Sequence, residues 1–188
     1  MQFPNQAILT LPSWVEESRR NSCYVHDEDK ARLAIELSRQ NILHQTGGPF
    51  GAAIFNEHSG ELISVGMNTV IPSHCSMCHA EVMAILFAQK KLEQYKLNLE
   101  SANRYVLATS AQPCTMCYGA IIWSGVSKVI ISASREDVMN LTQFDEGPIP
   151  ENWKEEYEKR GIEVLDGILR DEACLILKQY GTESGTIY

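Results

Sequence analysis

The chain is poor in positive charge. Its 188 residues include 16 Lys and Arg against 24 Asp and Glu, so the formal net charge is −8. An acidic surface repels phosphate backbones, and no basic stripe runs along the sequence, so we expect no nucleic-acid partner. The charge balance favours a small, uncharged ligand instead.

Long apolar runs are also missing. None approaches the roughly 20 residues that a membrane-spanning helix needs, so we expect no membrane partner. Residues 1–14 contain prolines but no basic segment followed by an apolar stretch, unlike a signal peptide. Six cysteines without an export signal favour metal binding or buried thiols over disulfides. We therefore predict a cytoplasmic protein.

What the chain does contain is an alternation of helical and strand patterns. An apolar stripe after Asp27 predicts a helix that ends near Gly47. Two short apolar runs separated by turn-forming residues predict a hairpin of strands 51–55 and 61–66, and residues 67–76 read as a loop. Beyond it we predict strands at 105–109, 128–132 and 162–165 and helices at 79–92, 115–123, 135–141, 153–160 and 170–180. This order indicates an α/β fold with a mixed sheet covered by helices on both faces.

The domain organisation is predicted to be simple. A chain of 188 residues suits one domain, and we assign residues 27–188 to it. Residues 1–26 are predicted to form an irregular N-terminal extension. It either packs along the surface of the domain or of a partner subunit, or it forms a disordered arm.

A split motif carries the chemistry. His79-Ala80-Glu81 lies in the middle of the chain, and Pro113-Cys114-Thr115-Met116-Cys117 follows it. One histidine and two cysteines can hold a zinc ion through three protein ligands and leave its fourth position for water. Glu81 stands too close to His79 to be an independent ligand and is well placed to move protons. This set is typical of zinc-dependent base deaminases.

A second pair of cysteines offers a competing interpretation. Cys75 and Cys78 precede His79, so the chain also has the spacing of a structural four-cysteine zinc ribbon. We favour the three-ligand site because both halves of the split motif lead into long apolar helices, and because a ribbon has no use for Glu81. His74 competes with His79 as a ligand, but only His79 opens a helix with a carboxylate close behind it.

The two motifs resemble those of the cytidine-deaminase-like superfamily. The matching segments are His79–Ala84 and Pro113–Ala120. The resemblance implies a three-layer α/β/α sandwich whose mixed central sheet has about five strands. Three further segments, 47–52, 121–125 and 144–148, look like bacterial guanine deaminases, and the subgroup that also acts on the triazine ammeline is the most similar.

This resemblance implies a homodimeric hydrolase of purine metabolism that converts guanine to xanthine and ammonia, with ammeline as a second substrate. His79, Cys114 and Cys117 would bind one Zn²⁺ per subunit. A zinc-bound hydroxide would attack the amino-bearing ring carbon while Glu81 shuttles the proton. Glu146 would be a second catalytic carboxylate. Five further residues would contact the substrate: Asn68, Phe50, Trp123, Ala80 and Tyr188.

Several alternatives stay open at this level. Asn68 could be a turn former, Trp123 a core residue and Glu146 a solvated acid. Gln112 stands where related enzymes often carry Glu, and the tail that ends in Tyr188 could close its own site or a neighbour's. A deaminase of guanosine, cytosine or tRNA adenosine, and a non-catalytic zinc-binding module, remain alternative functions.

Overall fold

One mixed sheet organises the structure, a computed structural model that describes residues 5–17, 23–100, 102–183 and 185–187. Its strand order is β2-β1-β3-β4-β5. The strands are β1 (Gly51–Asn56), β2 (Leu62–Met67), β3 (Tyr105–Ala111), β4 (Lys128–Ala133) and β5 (Glu163–Leu165). β1 pairs antiparallel with β2 and β3, whereas β3, β4 and β5 are parallel. The predicted hairpin is therefore confirmed.

Helices connect these strands. They are α1 (Trp14–Glu17), α2 (Asp27–Leu43), α3 (Val70–Ser73), α4 (Ala80–Leu92), α5 (Thr115–Ser124), α6 (Arg135–Thr142), α7 (Trp153–Glu158) and α8 (Arg170–Thr182). The predicted helices all form; α2 ends about four residues before Gly47, and the other ends are shifted by no more than two residues. We did not predict α1 and α3, because a single helical turn is too short to show a periodic pattern. Within the described ranges, no helix is long and apolar enough to cross a membrane.

Both faces of the sheet are covered. Successive side chains of a strand point to opposite faces, so Ile54 and Leu107 pack with α4 and α5, whereas Phe55 and Val106 pack with α2. β3 is buried along its whole length. This arrangement confirms the expected three-layer α/β/α sandwich.

Part of the N-terminal extension lies on the α2 face. Trp14 is 7% exposed and belongs to the same apolar cluster as α2. Its indole Nε1 donates to Thr46 Oγ1 at 3.0 Å, and its ring stacks on His44 with centroids 5.4 Å apart. In its described part, the extension thus packs on the end of α2, next to the turn that leads into β1.

Candidate metal centre and active site

Three metal-binding side chains meet where α4 and α5 begin. His79 and Cys114 are the residues immediately before the two helices, and Cys117 lies in the first turn of α5. His79 Nδ1 is 3.5 Å from Cys114 Sγ and 3.6 Å from Cys117 Sγ. Bonds of about 2.0 Å to nitrogen and about 2.3 Å to sulfur at a tetrahedral angle place the two ligand atoms about 3.5 Å apart. The group therefore fits Zn²⁺, and in the described part of the chain no other such group of three forms.

The helix ends favour the metal-binding form of the cysteines. The positive end of a helix dipole and free backbone N–H groups stabilise a thiolate. Hydrogen bonding from Cys117, and then from His79, lowers the pKa of Cys114 to about 4 even though the thiol is partly desolvated. Interaction with Cys114, together with burial, raises the pKa of Cys117. One of the two thiols is thus already poised as a thiolate.

A buried carboxylate stands beside these ligands. Glu81 lies in the first turn of α4 and is only 6% exposed. Burial, followed by the negative charge of Cys114, raises the pKa of Glu81 to about 6. A carboxyl group that titrates near neutral pH can both accept and release a proton, as general acid–base catalysis requires.

His79, Cys114 and Glu81 line a cleft that opens to solvent, and Cys117 lies beside these two ligands. The lining residues are Phe50, Asn68, His79, Ala80, Glu81, Ala111, Gln112, Cys114, Phe144, Asp145 and Glu146. The structure therefore brings together the predicted metal ligands, both predicted catalytic carboxylates and three of the predicted substrate contacts.

Asn68 follows β2 and is 1% exposed. Its backbone N–H donates to the carbonyl of Phe50 at 3.1 Å, and its Oδ1 accepts a hydrogen bond of 3.3 Å from the N–H of Val70. The side chain thus does form a turn, which was the alternative interpretation. Its Nδ2 has no partner among the described residues, however, so this amide remains available to a ligand in the cleft.

Glu146 lies in the loop after α6 and is 8% exposed. Burial, followed by the negative charge of Cys114, raises the pKa of Glu146 to about 8. Its backbone carbonyl accepts a hydrogen bond of 3.1 Å from the N–H of Thr115, which ties the loop to the start of α5. The neighbouring Asp145 is exposed and accepts from the N–H of Gly147 at 2.9 Å. Asp145 therefore forms the turn, and Glu146 supplies the buried carboxylate.

Aromatic side chains pack against one another at the start of the loop that carries Glu146. Phe144 meets Phe50 edge to face with ring centroids 5.3 Å apart, and it stacks on Tyr180 of α8 at 6.0 Å. Phe50 thus has two roles. It anchors the segment before β1, and it lines the cleft.

The position of Trp123 differs from the prediction that this residue contacts the substrate. It is 78% exposed near the C-terminal end of α5, whereas the metal ligands lie at the N-terminal end, and it does not line the cleft. Nine residues of helix separate it from Cys114 by about 13 Å along the axis, so this chain's Trp123 does not reach a substrate in its own site. The alternative interpretation as a core residue is wrong as well. Tyr188 lies outside the described residues.

The second cysteine pair stands apart from the metal ligands. Cys78 is 1% exposed, and its N–H donates to the carbonyl of Cys75 at 3.1 Å, which closes a turn. The carbonyl of Cys78 accepts from the N–H of Thr69 at 2.9 Å. Neither cysteine belongs to the cluster of three ligands, and His74 does not line the cleft. The arrangement gives no support to a ribbon.

Sequence reasoning missed some residues of the site. Ala111 lines the cleft at the carboxyl end of β3, and Gln112, which the sequence marked only as a departure from related enzymes, lines it as well. Parallel strands gather functional residues at their carboxyl ends. The position of Ala111 and Gln112 at the end of a buried run was therefore a signal that we could have used.

Comparison with known proteins agrees with this geometry. Residues 25–133 match the family described as cytidine and deoxycytidylate deaminase zinc-binding region. Guanine deaminase of Bacillus subtilis is 34% identical over 138 residues, which cover 73% of this chain and 83% of that protein.

Solved structures are similar as well. The guanine deaminase from Nitrosomonas europaea is 40% identical with a TM-score of 0.90, covering 97% of this chain and 100% of that one. A structure of NE0047 in complex with 2,6-diaminopurine is 42% identical with a TM-score of 0.89, covering 96% and 95%. The chain therefore belongs to the cytidine and deoxycytidylate deaminase zinc-binding family.

Proposed function

We propose that this protein is a zinc-dependent guanine deaminase, a hydrolase of the C–N bond of a cyclic amidine, which converts guanine and water to xanthine and ammonia. One observation carries the proposal. The cleft lined by His79 and Cys114, which form the metal-binding group with Cys117, is also lined by two buried carboxylates, Glu81 and Glu146. Hydrolytic deamination must move protons both to the ring and to the departing amine, and two carboxylates in one cleft supply both routes.

Glu81 is the proton carrier on the metal side of the cleft. When bound, zinc acidifies water and so supplies the nucleophile at neutral pH. Glu81 takes the proton that water releases and delivers it to the ring nitrogen beside the reacting carbon. Its burial at 6% exposure keeps bulk water from competing for that proton.

Recognition of guanine follows from the donors and acceptors of the base. The C2 amino group of guanine and the adjacent ring N–H can donate hydrogen bonds side by side to the two oxygens of one carboxylate. Glu146 is the carboxylate that accepts them. Asn68 offers a free amide to an acceptor on the purine edge. Phe50 and Ala80 supply the apolar contacts. Glu146 then also assists proton transfer to the departing amine.

The comparisons support this choice of base. The relatives from Bacillus subtilis and Nitrosomonas europaea are both described as guanine deaminases. The ligand in one similar structure, 2,6-diaminopurine, carries an amino group at the carbon where guanine has one. Ammeline also places an amino group beside a ring nitrogen, and we propose it as a second substrate.

Ammonia release tests the proposal directly. The panel is guanine, ammeline, guanosine, cytosine, cytidine and adenine, with zinc measured on the same sample. We expect turnover of guanine, weaker turnover of ammeline and one zinc per subunit. Preference for cytosine or for a nucleoside would assign the protein to a different deaminase activity.

Two substitutions separate chemistry from binding. Glu81→Gln keeps the shape of the side chain, so we expect bound zinc to stay while ammonia release stops. Glu146→Ala should lower guanine turnover heavily, by about a hundredfold or more. Full activity in the Glu81 variant would rule out the proton route.

The protein is proposed to act as a homodimer joined through α5. This helix is apolar almost throughout, yet only Cys117, Ile121 and Ser124 are buried. A helix that is apolar on all sides normally lies inside a core or an interface. A Cβ built on Gly119 would meet no atom within 4 Å, and Trp123 is 78% exposed, so the open side of α5 offers a second copy an apolar surface to pack against. We retain residues 27–188 as the deaminase domain and the cytoplasm as its proposed location.

A further inference from the structure

Thr115 lies between two of the metal ligands. It is the first residue of α5, directly after Cys114, and Cys117 follows two residues later. Its side chain is exposed and does not line the active-site cleft, so the proposed reaction gives it no role. Both of its hydrogen-bond donors are nevertheless used, and both contact the same segment of the chain.

That segment is the loop that carries Glu146. The backbone N–H of Thr115 donates to the carbonyl of Glu146 at 3.1 Å. The hydroxyl Oγ1 lies 3.2 Å from the same carbonyl and also donates to the carbonyl of Pro148. A threonine hydroxyl has a single proton. Because the Glu146 carbonyl already accepts from the N–H, the Pro148 carbonyl is the acceptor that depends on the hydroxyl.

Gly147 brings the two carbonyls to Thr115. It lies between Glu146 and Pro148 and has a φ of +66°, a conformation that glycine adopts without strain. A Cβ built on Gly147 would lie 2.8 Å from Oγ1 of Thr115 and 3.3 Å from its Cβ. The N–H of Gly147 donates to Asp145 at 2.9 Å, which closes the turn. The loop therefore packs directly on the Thr115 side chain.

These contacts join the two halves of the active site. The metal ligands Cys114 and Cys117 lie on either side of Thr115, whereas Glu146 is 31 residues away along the chain. In the proposed reaction one ring carbon is attacked from the metal side while Glu146 holds its amino group. The separation between the metal and the carboxylate must therefore fit the base, and an error of about 1 Å can cost about a hundredfold in rate. Thr115 is attached to both sides.

We propose that Thr115 is a positioning residue, whose hydroxyl fixes the Glu146 loop to the metal-binding turn of α5. The proposal rests on the proposed function, because Glu146 is assigned there to recognition of guanine. Thr115 acts through the backbone of the loop and makes no contact with the base. Its N–H provides the second link, which a change of side chain leaves in place.

Thr115→Val tests the hydroxyl alone. Valine has nearly the same shape and keeps the N–H, so only the side-chain bond to the loop is lost. We expect kcat/KM for guanine, expressed per bound zinc, to fall about three- to tenfold, as expected for one hydrogen bond. Thr115→Ser keeps the hydroxyl and should stay within about twofold of the wild type. A Thr115→Val variant with the kcat/KM of the wild type would overturn the proposal.

A double-mutant cycle with Glu146→Ala shows whether the effect passes through the carboxylate. Once the carboxylate is absent, the position of the loop no longer matters for recognition. Thr115→Val should therefore cost no more than about twofold in the Glu146→Ala background. An equal loss in both backgrounds would also overturn the proposal, since a general disturbance of α5 or of the metal predicts that result.

Controls separate this outcome from failure of the proposed function. Thr182→Val removes another exposed threonine hydroxyl, which lies 3.0 Å from the carbonyls of Lys178 and Gln179 in α8, and should leave activity unchanged. Zinc content and melting temperature are followed in every variant. A wild type that releases no ammonia from guanine refutes the proposed function alone, and the cycle is then measured on the affinity for 2,6-diaminopurine. Equal effects on that affinity in both backgrounds, or no binding by the wild type, would overturn the role of Thr115 too.

Discussion

The side-chain amide of Asn41 donates a hydrogen bond of 2.8 Å to the carbonyl oxygen of Asn68. The same Nδ2 donates to the carbonyl of Gly48, also at 2.8 Å. Asn41 is completely buried at the end of α2. A residue remote from the substrate therefore fixes the backbone of one that lines the cleft.

Asn41→Ala should weaken both the fold and the site. Two buried carbonyls would lose their donor, which costs about 1–3 kcal/mol of unfolding free energy. We expect the KM for guanine to rise several-fold while bound zinc stays constant, measured by denaturant titration and steady-state kinetics. Asn103→Ala, which removes an exposed contact to Glu100, is the matched control. An unchanged KM in the Asn41 variant would contradict the link to Asn68.

Gly47→Ala should displace Asn68 directly. A Cβ at this position would lie 1.8 Å from the carbonyl oxygen of Asn68 and 2.9 Å from Nδ2 of Asn41, so backbone must move. We expect guanine turnover to fall by about tenfold or more, a loss of the size that a misplaced contact produces. Gly167→Ala is the control, because Gly167 also has a positive φ but has open space around it. Equal activity of the two variants would show that Asn68 tolerates the shift.

Replacing Cys75 and Cys78 together by Ser should spare the metal. Neither residue belongs to the cluster of His79, Cys114 and Cys117. We expect the metal content of the double variant to equal that of the wild type, whereas Cys114→Ser should lose most of it. Metal analysis of purified protein is the measurement. Loss of zinc from the double variant would revive the ribbon interpretation.

Asp137 should make a pH-dependent contribution to the free energy of unfolding. Arg170 of α8 donates to both of its carboxylate oxygens, at 2.7 and 2.8 Å, and holds the pKa of Asp137 well below its usual range. Because the folded pKa is depressed, the stabilisation is present above the unfolded pKa of about 3.9 and disappears as the pH falls through the folded value.

Asp137→Asn should therefore cost about 1 kcal/mol at neutral pH, a small value because Arg170 is half exposed. The difference from the wild type should shrink below about pH 4. Denaturant titrations at several pH values measure it. A destabilisation that grows as the pH falls would show that some other group dominates.

Trp123→Glu should separate the proposed dimer. A carboxylate on the open face of α5 would be desolvated against the second copy, which opposes association. We expect the wild type to sediment as a dimer and the variant as a monomer with zinc still bound. Leu175→Glu, a similar change at an exposed apolar residue of α8, should leave the dimer intact. A monomeric wild type would remove the basis of this prediction.

The helices and strands were largely readable from the sequence, because their apolar residues repeat at the periods that each structure requires. Short elements such as α1 and α3 have no full period and were missed. The motif around His79 and the motif around Cys114 were also readable, since each is local and each begins a helix. Their convergence on one zinc ion followed from the residue types, since one histidine and two cysteines together supply three protein ligands.

Other parts of the site depend on packing between segments far apart in the chain. Asn41 and Gly47 act on Asn68 only because the end of α2 and the turn before β1 pack against the residue that follows β2. No local pattern reports such distances. Trp123 shows the opposite error, since its sequence neighbours placed it in the site while the length of α5 carries it away.

The sequence by itself determined the class of chemistry, because metal ligands and their proton carrier are a matter of residue type and local spacing. The tertiary structure alone decided which of the remaining polar residues stand in the cleft. It showed that Glu146 is buried while Asp145 is exposed, and that Trp123 lies on an open helix face. Burial depends on what the rest of the chain packs against each side chain, and that information is distributed over the whole fold.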